Sequence, residues 1–141
     1  MVNNFDNRKT NKYKTKAENL RNQPKYNFFK NTSYALKGIA DLLKTETSFK
    51  IELIITILLI PVIIFIDTSL SNKALMFISL MGMILCETIN SAIERVVDLV
   101  TLEHNEMAGR AKDMGSAIVF LSIFIFLVTW AIIFIDIILF D

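Results

Sequence analysis

The chain is poor in the residues that shape most soluble folds. One cysteine in 141 residues, Cys86, permits no internal disulfide, which excludes small secreted scaffolds held by such bonds. Two prolines and four glycines exclude collagen-like and linker-rich architectures. No Walker A sequence, kinase glycine-rich loop, HExxH, CxxC pair or nucleophile elbow occurs, so the templates of soluble enzymes do not apply. The one histidine, His104, lies in a polar stretch and is expected at the surface rather than on a metal. What is abundant is apolar. A hydrophobic fraction of 53 % with a mean hydropathy of +0.48 is too high for a soluble domain of this length and points to one membrane-embedded domain.

The net charge of +1 conceals an asymmetry. Residues 1–50 hold eleven Lys/Arg against four acids, a net of +7, and the remainder carries −6. Residues 1–26 are polar, rich in Asn and Lys, and lack any apolar run, so they are expected to form a disordered basic tail without a secretory signal. Residues 27–141 would be the membrane-embedded domain. Across 28–45, Lys30, Lys37 and Lys44 fall on one side of a helix, and Phe28, Ala35, Ile39 and Leu42 on the other. That pattern predicts an amphipathic helix lying in the membrane surface. A soluble amphipathic helix packed on protein is the alternative.

Three apolar segments follow, at about 49–66, 74–100 and 114–140, each long enough for a transmembrane helix at roughly 1.5 Å per residue. The fold class expected is therefore all-α and integral to the membrane, with three spans plus the surface helix. Residues 101–113 would form a polar loop. Basic residues concentrate before the first span and after the second (Arg95, Arg110, Lys112), with only Lys73 between the first two spans. The positive-inside rule then places the amino terminus and this loop in the cytoplasm.

Glu87, Asn90, Glu94 and Asp98, at i, i+3, i+7 and i+11, share one face of the second span. Acidic side chains inside a span cost about 2.5–3.5 kcal/mol each on insertion scales, so this face should meet protein, water or a cation. One reading makes the stripe merely the cytoplasmic end of a long helix, satisfied by Arg95, Arg110 and Lys112. Glu87 fits that reading poorly, because thirteen apolar residues carry the chain only about 20 Å into the bilayer before it appears. Glu46 and Glu94, expected near the same interface on different helices, suit a hard divalent cation such as Mg²⁺. Lys112, flanked by Gly109, Gly115 and Ser116, is a candidate phosphate contact.

The stretch Glu87-Thr-Ile-Asn-Ser-Ala-Ile-Glu-Arg-Val-Val-Asp98, followed by Gly109-Arg-Ala-Lys-Asp-Met-Gly-Ser-Ala117, closely resembles the signature of the prokaryotic diacylglycerol kinase family. The resemblance begins near Phe28 and includes Lys37-Gly38 and the Glu46-x-x-Phe49 element. It implies a homotrimeric inner-membrane enzyme with sites between subunits, taking ATP and a diacylglycerol lipid as partners and no nucleic acid. By the family pattern Glu87 is the general base and meets the lipid, while Glu46 and Glu94 hold Mg²⁺ on the ATP phosphates. Asn90 and Lys112 support the phosphates, Asp113 faces the nucleotide, and Glu52 and Ser116 lie by the lipid. In one place the chain departs from the pattern, with His104-Asn105 where Tyr-His is expected. Undecaprenol is an alternative acceptor within the family. A non-enzymatic oligomeric channel or proton carrier is the competing class, since an acidic stripe within a span would suit it too.

Overall fold

The computed structural model describes residues 27–140. The basic segment 1–26, expected to be disordered, lies outside the described residues. Four α-helices follow in order: α1 (Phe28–Thr45), α2 (Thr47–Phe65), α3 (Leu70–Val100) and α4 (Glu106–Phe140). The described residues contain no strand. The described residues divide into two units, 27–37 and 38–140.

In the first unit, Asn27 Oδ1 accepts from the Lys30 amide at 3.1 Å and covers one of the open N–H groups that begin a helix. Lys30 Nζ stands 6.0 Å from the centre of the Tyr34 ring. The described side chains of this unit are exposed, Phe28 and Phe29 among them.

The second unit holds the end of α1 and the three long helices. All three are long and apolar enough to cross a membrane. Their lengths of 19, 31 and 35 residues correspond to roughly 28, 46 and 52 Å of helix. Pro61 sits inside α2 without ending it, as membrane helices tolerate. α3 is central, packing on both α2 and α4 and on α4 more extensively. Large apolar side chains on the outside, including Ile54, Leu58, Phe65, Phe124, Leu127 and Ile138, are more than half exposed. A surface of that kind does not persist in water and identifies a membrane protein.

The apolar core clusters near one end, where Ile63 of α2, Met76, Leu80 and Met83 of α3, and Phe126, Trp130 and Ile133 of α4 meet. Trp130 stacks obliquely on Phe126 and Phe134, and its Nε1 donates to the Met76 carbonyl at 3.3 Å. Lipid tails are as apolar as these side chains, so tight packing and this interhelical bond hold the cluster together.

Two boundaries differ from the sequence expectation. The second span begins at Leu70 rather than near 74, because Ser69 caps it: its side chain accepts from the Asn72 amide at 3.2 Å. The expected loop 101–113 shortens to five residues, since α4 begins at Glu106. Asn105 Oδ1 accepts from the amides of Met107 and Ala108 at 2.9 and 3.1 Å, an N-cap that starts the helix two turns before its apolar part. Lys112 and Asp113 are therefore helical rather than loop residues.

Candidate functional site

Toward the other end of the bundle the interior changes character. Glu52 and Thr56 of α2, Glu87, Asn90 and Ser91 of α3, and Ser122 of α4 are buried. Helical spacing explains the placement on α3: Glu87, Asn90 and Ser91 lie on the side that faces the neighbouring helices. Thr56 satisfies its hydroxyl on its own helix, donating to the Glu52 carbonyl at 2.8 Å, and Ser122 donates likewise to Val119 at 2.8 Å.

Glu87 is only 4 % exposed, in agreement with its position well inside the span. The carboxylates of Glu94 and Glu46 lie within electrostatic reach of it, and Glu87 in turn of Glu52. Three acidic side chains, from α2, α3 and the junction before α2, thus stand about Glu87. Asn90 Nδ2 donates to Glu94 Oε1 at 3.2 Å and fixes that carboxylate one turn further along α3. Two buried acceptors, Glu52 Oε2 and Asn90 Oδ1, have no hydrogen-bond partner among the described residues.

Asn90 Oδ1 points at α4. A β-carbon at Gly115 would overlap that oxygen and stand 3.7 Å from Ile93 Cγ2, so a glycine is what permits α4 to cross α3 this closely. The small residue noticed beside Lys112 in the sequence therefore has a packing role against Asn90.

Glu46 belongs to no helix. It stands between α1 and α2 with extended backbone (φ −100°, ψ 113°). Arg95 of α3 reaches it there: Nη2 donates to Glu46 Oε1 at 3.1 Å and to Thr45 Oγ1 at 2.7 Å, while Nη1 pairs with Asp41 Oδ2. The bonds to Glu46 and Glu94 fall on Oε1 in both cases, among the described residues.

Whether these residues fit Mg²⁺ turns on their donor chemistry. No group of three or more potential ligands stands ready among the described residues. Mg²⁺ does not require one, because it keeps several waters and binds through one or two carboxylates together with phosphate oxygens. Among the described residues Glu46 and Glu94 each keep one oxygen without a protein donor, which fits that mode.

The remaining expected residues gather at the α3–α4 connection. A cavity of about 420 Å³ there is lined by Asp98, His104, Asn105, Arg110, Lys112 and Asp113, among others. Lys112 Nζ pairs with Asp98 Oδ1 at 2.6 Å, and Ser116 Oγ donates to the Lys112 carbonyl at 3.3 Å. Asp113 and His104 are exposed. The expected set thus falls into two groups, one around Glu87 that is buried or half-buried and an open one around Lys112. The three-membered grip of Arg95 on Asp41, Thr45 and Glu46 is absent from the expectation. Its partners lie about fifty residues away in sequence, and the only hint was an arginine directly after Glu94.

Comparison with known proteins identifies the family. The profile of the family described as prokaryotic diacylglycerol kinase matches residues 33–134. A diacylglycerol kinase from Haemophilus influenzae is 38 % identical over 99 residues, covering 70 % of this chain and 84 % of that one. One from Escherichia coli is 36 % identical over 103 residues, covering 73 % and 84 %. An undecaprenol kinase from Bacillus subtilis is 30 % identical over 92 residues, covering 65 % and 75 %. With its match running from α1 through most of α4, the chain belongs to the prokaryotic diacylglycerol kinase family, a family of lipid kinases.

Proposed function

We propose that the protein transfers the γ-phosphoryl group of ATP to the hydroxyl of diacylglycerol, with Glu87 as general base. The observation that carries this reading is Glu87 itself, a carboxylate buried within a candidate span and attended by Glu46, Glu94 and Glu52. Burying an acid in a span is costly and is retained where the side chain has work to do. A lipid hydroxyl enters from the membrane, and Glu87 lies at a depth such a group can reach. Glu87 takes the hydroxyl proton as the oxygen bonds to the γ-phosphorus and the bond to the β-phosphate oxygen breaks, releasing ADP.

Glu46 and Glu94 would hold Mg²⁺, which supplies charge neutralisation on the phosphate oxygens when bound. Asn90 orients Glu94. Lys112, already engaged with Asp98, provides a cation for the phosphates, and Asp113 lies on the nucleotide side. Glu52 and Ser116 border the lipid. Phosphoryl transfer asks mainly for positioning and electrostatic stabilisation, which such a set provides.

The same reading places the amino terminus and the α3–α4 connection on the cytoplasmic side of the bacterial inner membrane, with α1 in its surface and three subunits completing the sites. Residues 1–26 would form a tail and 27–141 the kinase domain. The relative named undecaprenol kinase gives a second acceptor a specific claim.

The test is phosphoryl transfer from labelled ATP to diacylglycerol or undecaprenol in mixed micelles, with wild type and Glu87→Gln. Wild type should label diacylglycerol, and Glu87→Gln should lose roughly 10²-fold or more of the rate with assembly unchanged. Glu87→Gln within tenfold of wild type would remove Glu87 as base. Label on undecaprenol alone would reassign the acceptor, and no label on either lipid would overturn the kinase reading in favour of a channel or carrier.

A further inference from the structure

The α1–α2 junction is where a surface segment turns into a span, and one guanidinium holds it. Asp41 stands one turn before the end of α1, Thr45 is its last residue, and Glu46 is the extended residue beyond it. Arg95 donates to all three, and Thr45 Oγ1 donates in turn to the Asp41 carbonyl at 3.0 Å and lies 3.2 Å from Glu46 Oε1. Among the described residues no other side-chain hydrogen bond joins this junction to α3.

Stability does not account for the arrangement. The side chains of Arg95 and Asp41 are 42 % and 52 % exposed, and ion pairs so open to solvent contribute little to folding. What the fork provides is geometry. A planar guanidinium with fixed donor directions sets the relative positions of its acceptors, which a flexible point charge does not. It engages Glu46 by Oε1 alone, and among the described residues no donor reaches the other oxygen.

We infer that Arg95 is a positioning residue for nucleotide binding: by fastening the α1–α2 junction to α3 it holds Glu46 in register with Glu94, its own neighbour in sequence. This rests on the assignment of Glu46 and Glu94 to the nucleotide side. All three partners of Arg95 are side chains of the protein itself. Its role is to present a carboxylate that would otherwise swing with a non-helical residue. Loss of the fork should therefore weaken binding of the magnesium nucleotide while sparing the chemical step and the lipid.

The full-length protein is assayed in mixed micelles as wild type, Arg95→Ala, Arg95→Lys, Asp41→Asn and Asp41→Asn/Arg95→Ala. Amide hydrogen exchange is followed over residues 41–50 without nucleotide. In Arg95→Ala the KM for the magnesium nucleotide should rise about tenfold, with kcat and lipid KM within about threefold, the signature of lost uniform binding. Exchange at the junction should quicken. Arg95→Lys, which keeps the charge but cannot hold all three partners, should fall between, and the double variant should be no worse than Arg95→Ala alone.

An unchanged nucleotide KM in Arg95→Ala would overturn the inference, as would equal damage to lipid KM and kcat. Should Arg95→Ala fail to assemble, Arg95→Lys decides, a wild-type nucleotide KM there counting against it. If wild type transfers phosphate to no lipid, the kinase reading falls by itself. Unaltered junction exchange in the arginine variants then still refutes the clamp.

Discussion

Gly115→Ala adds one methyl group and should test the packing beside the buried acids. The added carbon would overlap Asn90 Oδ1, and Asn90 is buried between helices, so its amide must turn away and release Glu94. Three contributions decide the magnitude. Overpacking costs about 1–3 kcal/mol. The broken Asn90–Glu94 bond adds about 0.6 kcal/mol, the mean for interhelical polar contacts in membranes, taken here as a guide for a bond within one helix. Replacing glycine by alanine in a helix returns up to about 1 kcal/mol. The net is a loss of roughly 1–3 kcal/mol, with activity falling because Glu94 is no longer held. Removing the obstructing amide should reverse the sign: in an Asn90→Ala background Gly115→Ala becomes neutral or slightly stabilising. The double-mutant cycle should then show a coupling of about 2 kcal/mol, within the range for contacting residues. Denaturant titration in mixed micelles reads this through Trp130, the chain's one tryptophan, which is buried in the apolar cluster. Gly82→Ala is the control, since a β-carbon there meets nothing within 4 Å. Coupling below about 0.5 kcal/mol would show that Asn90 and Gly115 do not meet as described.

Glu46→Ala and Glu94→Ala should each raise the Mg²⁺ concentration for half-maximal activity at saturating ATP; an unchanged midpoint in both would remove them from the metal side. Trp130→Phe keeps the aromatic packing but loses the bond to the Met76 carbonyl. It should destabilise by about 0.6 kcal/mol in the same titration, with circular dichroism as the readout, and leave nucleotide KM unchanged.

Much of the fold was legible because a bilayer imposes one stringent rule on a chain, an apolar run long enough to cross it. α1 and α2 run over Phe28–Thr45 and Thr47–Phe65, against 28–45 and about 49–66 read from composition and periodicity. The errors share a cause. Apolar tallies locate the part of a helix that sits in lipid, not the polar turns that extend it, so the caps of Ser69 and Asn105 added residues to α3 and α4 that hydropathy alone does not detect. For the site, the helical repeat placed Glu87, Asn90 and Glu94 on one face. Gly115 against Asn90 and Arg95 against Asp41 depend on how separate helices cross, and periodicity within one helix carries no such information.

The distribution of unpaired atoms bears on how the two ends of the bundle differ. At the apolar end a buried polar donor, Trp130 Nε1, has found a carbonyl. At the acidic end two buried oxygens, Glu52 Oε2 and Asn90 Oδ1, have no partner among the described residues. An unpaired buried acceptor costs about 1–3 kcal/mol, and more when it is charged. Glu52 stands on α2 and Asn90 on α3, one turn from Glu87, so both lie among the buried polar side chains and away from the apolar cluster. On the proposed reading this is the end that receives the lipid hydroxyl. Among the described residues the buried Trp130 donor is paired, whereas the acidic end keeps two acceptors unpaired. Under the proposed chemistry the packed apolar half anchors the helices and the acidic half binds and reacts, so substitutions in the first should move stability and those in the second should move rate.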